Sequence, residues 1–242
     1  MELSKLLLIV IIFALLVIVF NYIFKDPNTI VPSLTSAKVM QQVPASNLEQ
    51  AGAGNTSNFT YSIWFYIDDW NYRYGEPKVL FGRMMSGTSD QPCPSVTLGS
   101  MQNDMNISLT VYPGSDKENN SSLVHTCNVS NVPIQKWCNL LVSAYGRTLD
   151  VYLDGKLVRT CVLPGVAKID AMAPVYITPN GGFSGWTSRF QFWADATDPQ
   201  TAWNIYKKGY GGSLIGKTKD VLKYGVKLSV TKGDQEYSSF SV

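Results

Sequence analysis

The stretch Lys136–Leu163, KWCNLLVSAYGRTLDVYLDGKLVRTCVL, decides the fold. It reads as a three-strand meander. KWCNLLVSAY runs into a Gly146-Arg147-Thr148 turn, LDVYL follows, and Asp154-Gly155 leads into KLVRTCVL. An Asp-Gly pair between alternating strands signals a type I′ hairpin, because both turn positions need positive φ. A two-residue turn there pairs Leu153 with Lys156 and Val151 with Val158. The outer strands then flank LDVYL without touching each other. That argues against a Cys138–Cys161 bridge and makes Cys93 with Cys127 the first pairing to test. The other reading of the four cysteines is buried free thiols, and their spacing fits no zinc site.

Similar signals extend outward on both sides. In FTYSIWFYI (59–67), Phe59, Tyr61, Ile63, Phe65 and Ile67 form one apolar face, and Thr60, Ser62, Trp64 and Tyr66 form an amphipathic one. KVLFGR (78–83), SVTLG (95–99) and NISLTVY (106–112) read as short strands, as do 174–178 and 188–194. Asp198-Pro199 reads as an N-cap and first-turn proline opening a short helix through Lys208, with Ala202, Ile205 and Tyr206 buried and Gly209 closing it. The expected fold is an all-β antiparallel sandwich with that one short helix near its end.

Several motifs resemble the laminin-G/concanavalin A-like jelly-roll family. They are Ile63 to Ile67, the Trp137-Cys-Asn-Leu-Leu-Val run, Leu149-Asp-Val-Tyr-Leu-Asp-Gly-Lys-Leu-Val, and Phe183-Ser-Gly-x(4)-Phe-Gln-Phe-Trp. The resemblance covers roughly residues 58–212 and departs at Trp186, where the family has Tyr or Ile. It implies a jelly roll and no particular activity. The single-span form, ending in WNIYKKGYGG, is also similar to virion membrane and minor capsid proteins of large icosahedral DNA viruses.

The flanks set the organisation. Leu6 to Phe24, LLLIVIIFALLVIVFNYIF, is uncharged and holds one polar residue, Asn21. A helix of that length covers about 28 Å, close to the ~30 Å of a bilayer core. Bulky residues follow it, with no small-residue cleavage site, so a retained anchor is expected rather than a signal peptide. The division is an anchor at 1–25, an extended linker at 26–57, the sandwich at 58–212, and a strand extension at 213–242. In the extension, VLKYGVKLSV (221–230) alternates as a half-buried strand.

Charge and composition exclude several functions. Between Val31 and Gly212, thirteen Lys and Arg face thirteen Asp and Glu, so no basic face for nucleic acid is expected. His125 is the only histidine, and the Asp-x-Glu at Asp116-Lys-Glu118 is set in a turn-rich loop. No catalytic constellation, metal site or cofactor is therefore expected. Asp68, Asp69, Asp104 and Asp195 are loop acids that suit either turns or calcium. Sequons stand at Asn55, Asn58, Asn106, Asn119, Asn120 and Asn128. Trp70, Tyr72, Tyr74 and Trp186 form the candidate rim for a glycan. The favoured function is structural: a non-enzymatic single-pass protein, anchored by residues 6–24, that links a bilayer to other structural proteins at a virion inner membrane. The alternative is a membrane-tethered carbohydrate-binding or adhesion module.

Overall fold

Alternation at Phe59–Asp69 fixes which side of the fold is inside. In the computed structural model Phe59, Tyr61, Ile63, Phe65 and Ile67 all point into one core between two antiparallel sheets. Burying each such side chain contributes about 1.5–3 kcal/mol relative to exposure. The structure describes residues 11–16, 18–19, 26–48, 57–84, 91–112, 122–211, 227–232 and 235–241.

The described strands, in chain order, are β1 (Thr29–Val31), β2 (Thr35–Ser36), β3 (Gln41–Val43), β4 (Phe59–Asp69), β5 (Lys78–Arg83), β6 (Ser95–Leu98) and β7 (Met105–Val111). They continue with β8 (Leu123–Val129), β9 (Trp137–Tyr145), β10 (Thr148–Leu153), β11 (Lys156–Val162), β12 (Val175–Ile177) and β13 (Ser184–Trp193). One sheet runs β1-β13-β4-β9-β10-β11, with β2 also on β13, and the other runs β3-β12-β5-β6-β7-β8. These strands and the helix α1 (Pro199–Lys207) belong to one unit, Pro27–Tyr210. Asp198 caps α1 by accepting from Thr201 N at 2.9 Å, and Gly209 closes it at φ 73°. Ala202 and Ile205 pack on Leu141 and Tyr152, so α1 covers part of the outer face of the seven-stranded sheet; Tyr206 is half-buried. Gly155 lets it approach, since a Cβ there would lie 2.9 Å from Tyr206 Cβ.

The meander forms as its turns dictate: Asp154 and Gly155 have φ 51° and 72°, and Leu153 pairs with Lys156. Val151 pairs with Arg159, not Val158, because a bulge between Val151 and Tyr152 inserts one residue of β11.

The disulfide expectation is corrected. Cys127 is bonded to Cys161, and Cys93 and Cys138 are buried thiols. β7 lies between β6 and β8 and keeps Cys93 from Cys127. β8 and β11 are the last strands of their sheets on the same side, and the bridge ties these two edges together.

The segment 26–57, an extended linker by composition, supplies strands to both sheets: β1 and β2 join β13, and β3 joins β12. β8 has weak alternation and was not expected as a strand.

A separate unit holds residues 1–26 and 211–242. Within it residues 11–16 and 18–19 are helical with exposed apolar side chains, Phe13 at 68%. The rest of 6–24 lies outside the described residues, and among the described residues no helix is long and apolar enough to cross a membrane. In the same unit β14 (Lys227–Lys232) pairs with β15 (Gln235–Ser241); the start of the expected strand at 221–230 lies outside the described residues.

Candidate functional site

Where β4 ends, Asp69 accepts from Asn71 N at 2.9 Å and turns the chain at Trp70. Gly75 N donates to Ser100 O at 3.0 Å, which brings this turn against the loop between β6 and β7. That loop is closed by Gly99 N on Asp104 O at 2.9 Å and tied to the next by Val132 N on Asn103 O at 2.7 Å. The loop after β8 returns to the end of β4 through Gln135 N on Ile67 O at 2.7 Å. Three loops thus converge at one end of the sandwich.

Between them lies an open groove of about 530 Å³, lined among others by Trp70, Asn103, Asp104, Asn128, Ser130 and Asn131. Its polar wall is already organised. Asn128 Nδ2 donates to Asp104 Oδ2 at 3.2 Å and to Asn106 Oδ1 at 3.0 Å, and Ser130 Oγ donates to Asn128 Oδ1 at 3.3 Å. Asn103 Nδ2 donates to Val132 O at 3.4 Å. Trp70, partly exposed, lines the same groove. An indole in one groove with fixed amide, hydroxyl and carboxylate groups suits a ligand with both a C–H face and hydroxyls.

Beneath Trp70 sits Lys78, 1% exposed, its Nζ 5.2 Å from the indole centroid. Both Lys78 Nζ and Trp70 Nε1 are buried and have no hydrogen-bond acceptor among the described residues. Burial lowers the Lys78 pKa; Arg73 adds to this, while Glu76 and Asp69 oppose it.

Of the four aromatic residues expected at a rim, only Trp70 is among the residues lining the groove. Tyr72 donates to Gly181 O at 3.2 Å, with Lys38 Nζ 4.6 Å from its ring centroid. Tyr74 is 59% exposed on the same turn. Trp186 lies on the outer face of the seven-stranded sheet, in one row with Tyr66 and Trp137 across β13, β4 and β9. Trp137 stacks on Tyr210 at 4.5 Å. Asp104 is the one loop acid placed in the groove. Among the described residues no three His, Cys, Asp or Glu are gathered to hold a metal ion. Asn103, Ser130 and Asn131 carried no sequence signal beyond turn composition, and Asn128 carried only its sequon.

The groove lies far from where the chain enters the sandwich. Phe192 N donates to Asn28 O, level with Tyr61 near the start of β4, whereas Trp70 follows its end. Nine residues of strand separate the two levels, roughly 30 Å at ~3.3 Å per residue.

Residues 41–214 match the family model described as the Laminin_G_3, concanavalin A-like lectin/glucanases superfamily. No curated protein matches the chain in sequence. Among solved structures it is similar to a mutant of HCR/D, with TM-score 0.51 and 9% identity over 72% of this chain and 42% of that one. It is also similar to the binding domain of botulinum neurotoxin DC in complex with SialylT, with TM-score 0.50 and 12% identity over 74% of this chain and 45% of that one. The chain spans less than half the length of either, and the likeness concerns the fold.

Proposed function

Because this chain belongs to the concanavalin A-like lectin/glucanase superfamily, we propose that it is a non-enzymatic binding module that takes a polyhydroxylated ligand, a glycan, in the Trp70 groove. The observation that carries this reading is that Trp70 and the hydrogen-bonded Asp104–Asn128–Ser130 network line one groove. A sugar ring presents C–H bonds on one face and hydroxyls at its edge, and the indole suits the first and the polar network the second. Residues 6–24 hold the module at a bilayer as a single span, which the exposed apolar side chains of the helical residues 11–16 and 18–19 support. Within the sandwich unit, the chain joins the fold at Asn28, at the end opposite the groove.

The test is an oligosaccharide array probed with the full chain in detergent micelles. Binding that falls about tenfold or more with Trp70→Ala, and is unchanged with Trp186→Ala, supports the reading. A silent array, or loss with Trp186→Ala alone, overturns it.

A second reading has the module as a structural link between a bilayer and a protein shell, as in a virion. The hairpin β14–β15, outside the sandwich unit, favours it, since a two-stranded sheet has two unpaired edges to offer a partner. Crosslinks from residues 213–242 to another chain in an intact particle would support this reading, and a free tail would count against it.

A further inference from the structure

We infer that the end of the sandwich opposite the groove rests on the surface of the lipid bilayer, so that the module is docked there rather than free on a tether. The inference rests on the reading of residues 6–24 as an anchor.

This end is built from strand termini that hydrogen bonds gather together. Thr148 pairs with both Tyr145 and Val162, Leu163 N donates to Arg147 O at 2.8 Å, and Tyr112 N donates to Val166 O at 2.9 Å. Leu123 pairs with Val111, next to Tyr112. Among the described residues at this end several large apolar side chains are open: Val162 is 71% exposed, Tyr145 67%, Tyr112 51% and Leu123 42%, with Val166 beside them. Apolar groups gathered in this way at the end of a water-facing domain mark a contact surface. Two tyrosines among aliphatic residues suit the headgroup level of a bilayer, where a ring is half in hydrocarbon and its hydroxyl stays wet. The Arg147 guanidinium, held by Leu163 O and Pro164 O, and Lys168, 6.0 Å from the Tyr112 ring, set cations at the same level.

Chain length identifies the occupant. Phe24 ends the apolar stretch, and Asn28 is already bonded to Phe192 near this end. Four Cα steps span at most about 14 Å, so the anchor permits no long stalk. The Tyr145 turn extends three residues beyond Val142, which pairs with Tyr61 at the Asn28 level, towards the side from which the chain arrives.

The test uses the full chain in phosphatidylcholine vesicles, with a nitroxide placed singly through Tyr145→Cys, Leu123→Cys or Met101→Cys. Met101 belongs to the groove end. Collisional accessibility to oxygen and to a water-soluble nickel chelate is then read. The expected result is oxygen access with several-fold less nickel access at positions 145 and 123, and full nickel access at position 101. Nickel access at 145 and 123 equal to that at 101, in chain that resists alkaline carbonate, overturns the docking and leaves the anchor standing. Shielding from both probes means that protein covers this end, and also overturns it. Release of the chain by carbonate overturns the anchor reading, and the docking with it.

Discussion

Asn128 and Asp104 are joined across two neighbouring strand ends, Asn128 Nδ2 donating to Asp104 Oδ2 at 3.2 Å. The bond fixes the carboxylate that lines the groove. Asn128→Ala removes the support for Asp104 and Ser130 together. The expected outcome is a loss of about 1–2 kcal/mol in glycan binding, roughly tenfold, with folding stability nearly unchanged because the residue is exposed. Calorimetric titration beside thermal unfolding checks both parts.

Gly99→Ala tests the same wall from behind. A Cβ there would overlap the Asp104 carboxylate and come to 2.6 Å from the Gln102 carbonyl oxygen. The carboxylate can swing aside but the carbonyl cannot, so the loop must move. A stability loss of about 1–3 kcal/mol is expected, together with weakened binding. Denaturant titration of the variant measures the first and calorimetry the second.

Lys78→Met is expected to stabilise the fold at neutral pH, because it replaces a buried ammonium that has no hydrogen-bond acceptor among the described residues by an apolar chain of similar length. The sign follows from the lowered folded-state pKa. Below that pKa the penalty is full, and it fades as pH rises to the unfolded value near 10.5, so this lysine alone makes stability rise with pH in that window. Tyr61, Cys93 and Cys138 act oppositely: burial pushes each up to about 12, so they withdraw stability as pH climbs through their unfolded values towards 12. The difference between wild type and Lys78→Met isolates the lysine. Urea unfolding of both proteins from neutral to pH 10 should show their gap closing as pH rises.

Cys127→Ser with Cys161→Ser is expected to cost about 3–4 kcal/mol, from the chain entropy of a loop closed over a separation of 34 residues. Cys93→Ala leaves that link intact. Peptide mapping without reductant should find Cys127 joined to Cys161, and unfolding of the double variant gives the magnitude.

Much of the fold could be read from local pattern. Period-two alternation located β4, strand composition between turn residues located β5, and the Gly146 turn with Asp154-Gly155 located β9 and its hairpin, because these signals are carried by adjacent residues. β1, β2 and β3 could not be read: strands of two or three residues with Thr, Ser and Gln have no period to detect, and they exist because β13 and β12 offer edges. The disulfide failed for a related reason, since which edges meet is a property of the closed sandwich. The groove was legible only in Trp70 and, as a loop acid, Asp104. Trp186 has the same chemistry as Trp70, yet its strand register sends it to the outer face of a sheet. Asn103, Asn128 and Asn131 become a wall only when the loop before β7 and the end of β8 meet.

The most direct test of the groove is fluorine NMR of the full chain carrying 5-fluorotryptophan at its six tryptophans, titrated with an oligosaccharide selected on the array. Each signal is assigned by single substitution. The account predicts that the Trp70 signal shifts saturably while those of Trp186, Trp64 and Trp137 stay in place. A saturable shift at Trp186 with Trp70 unmoved would contradict it.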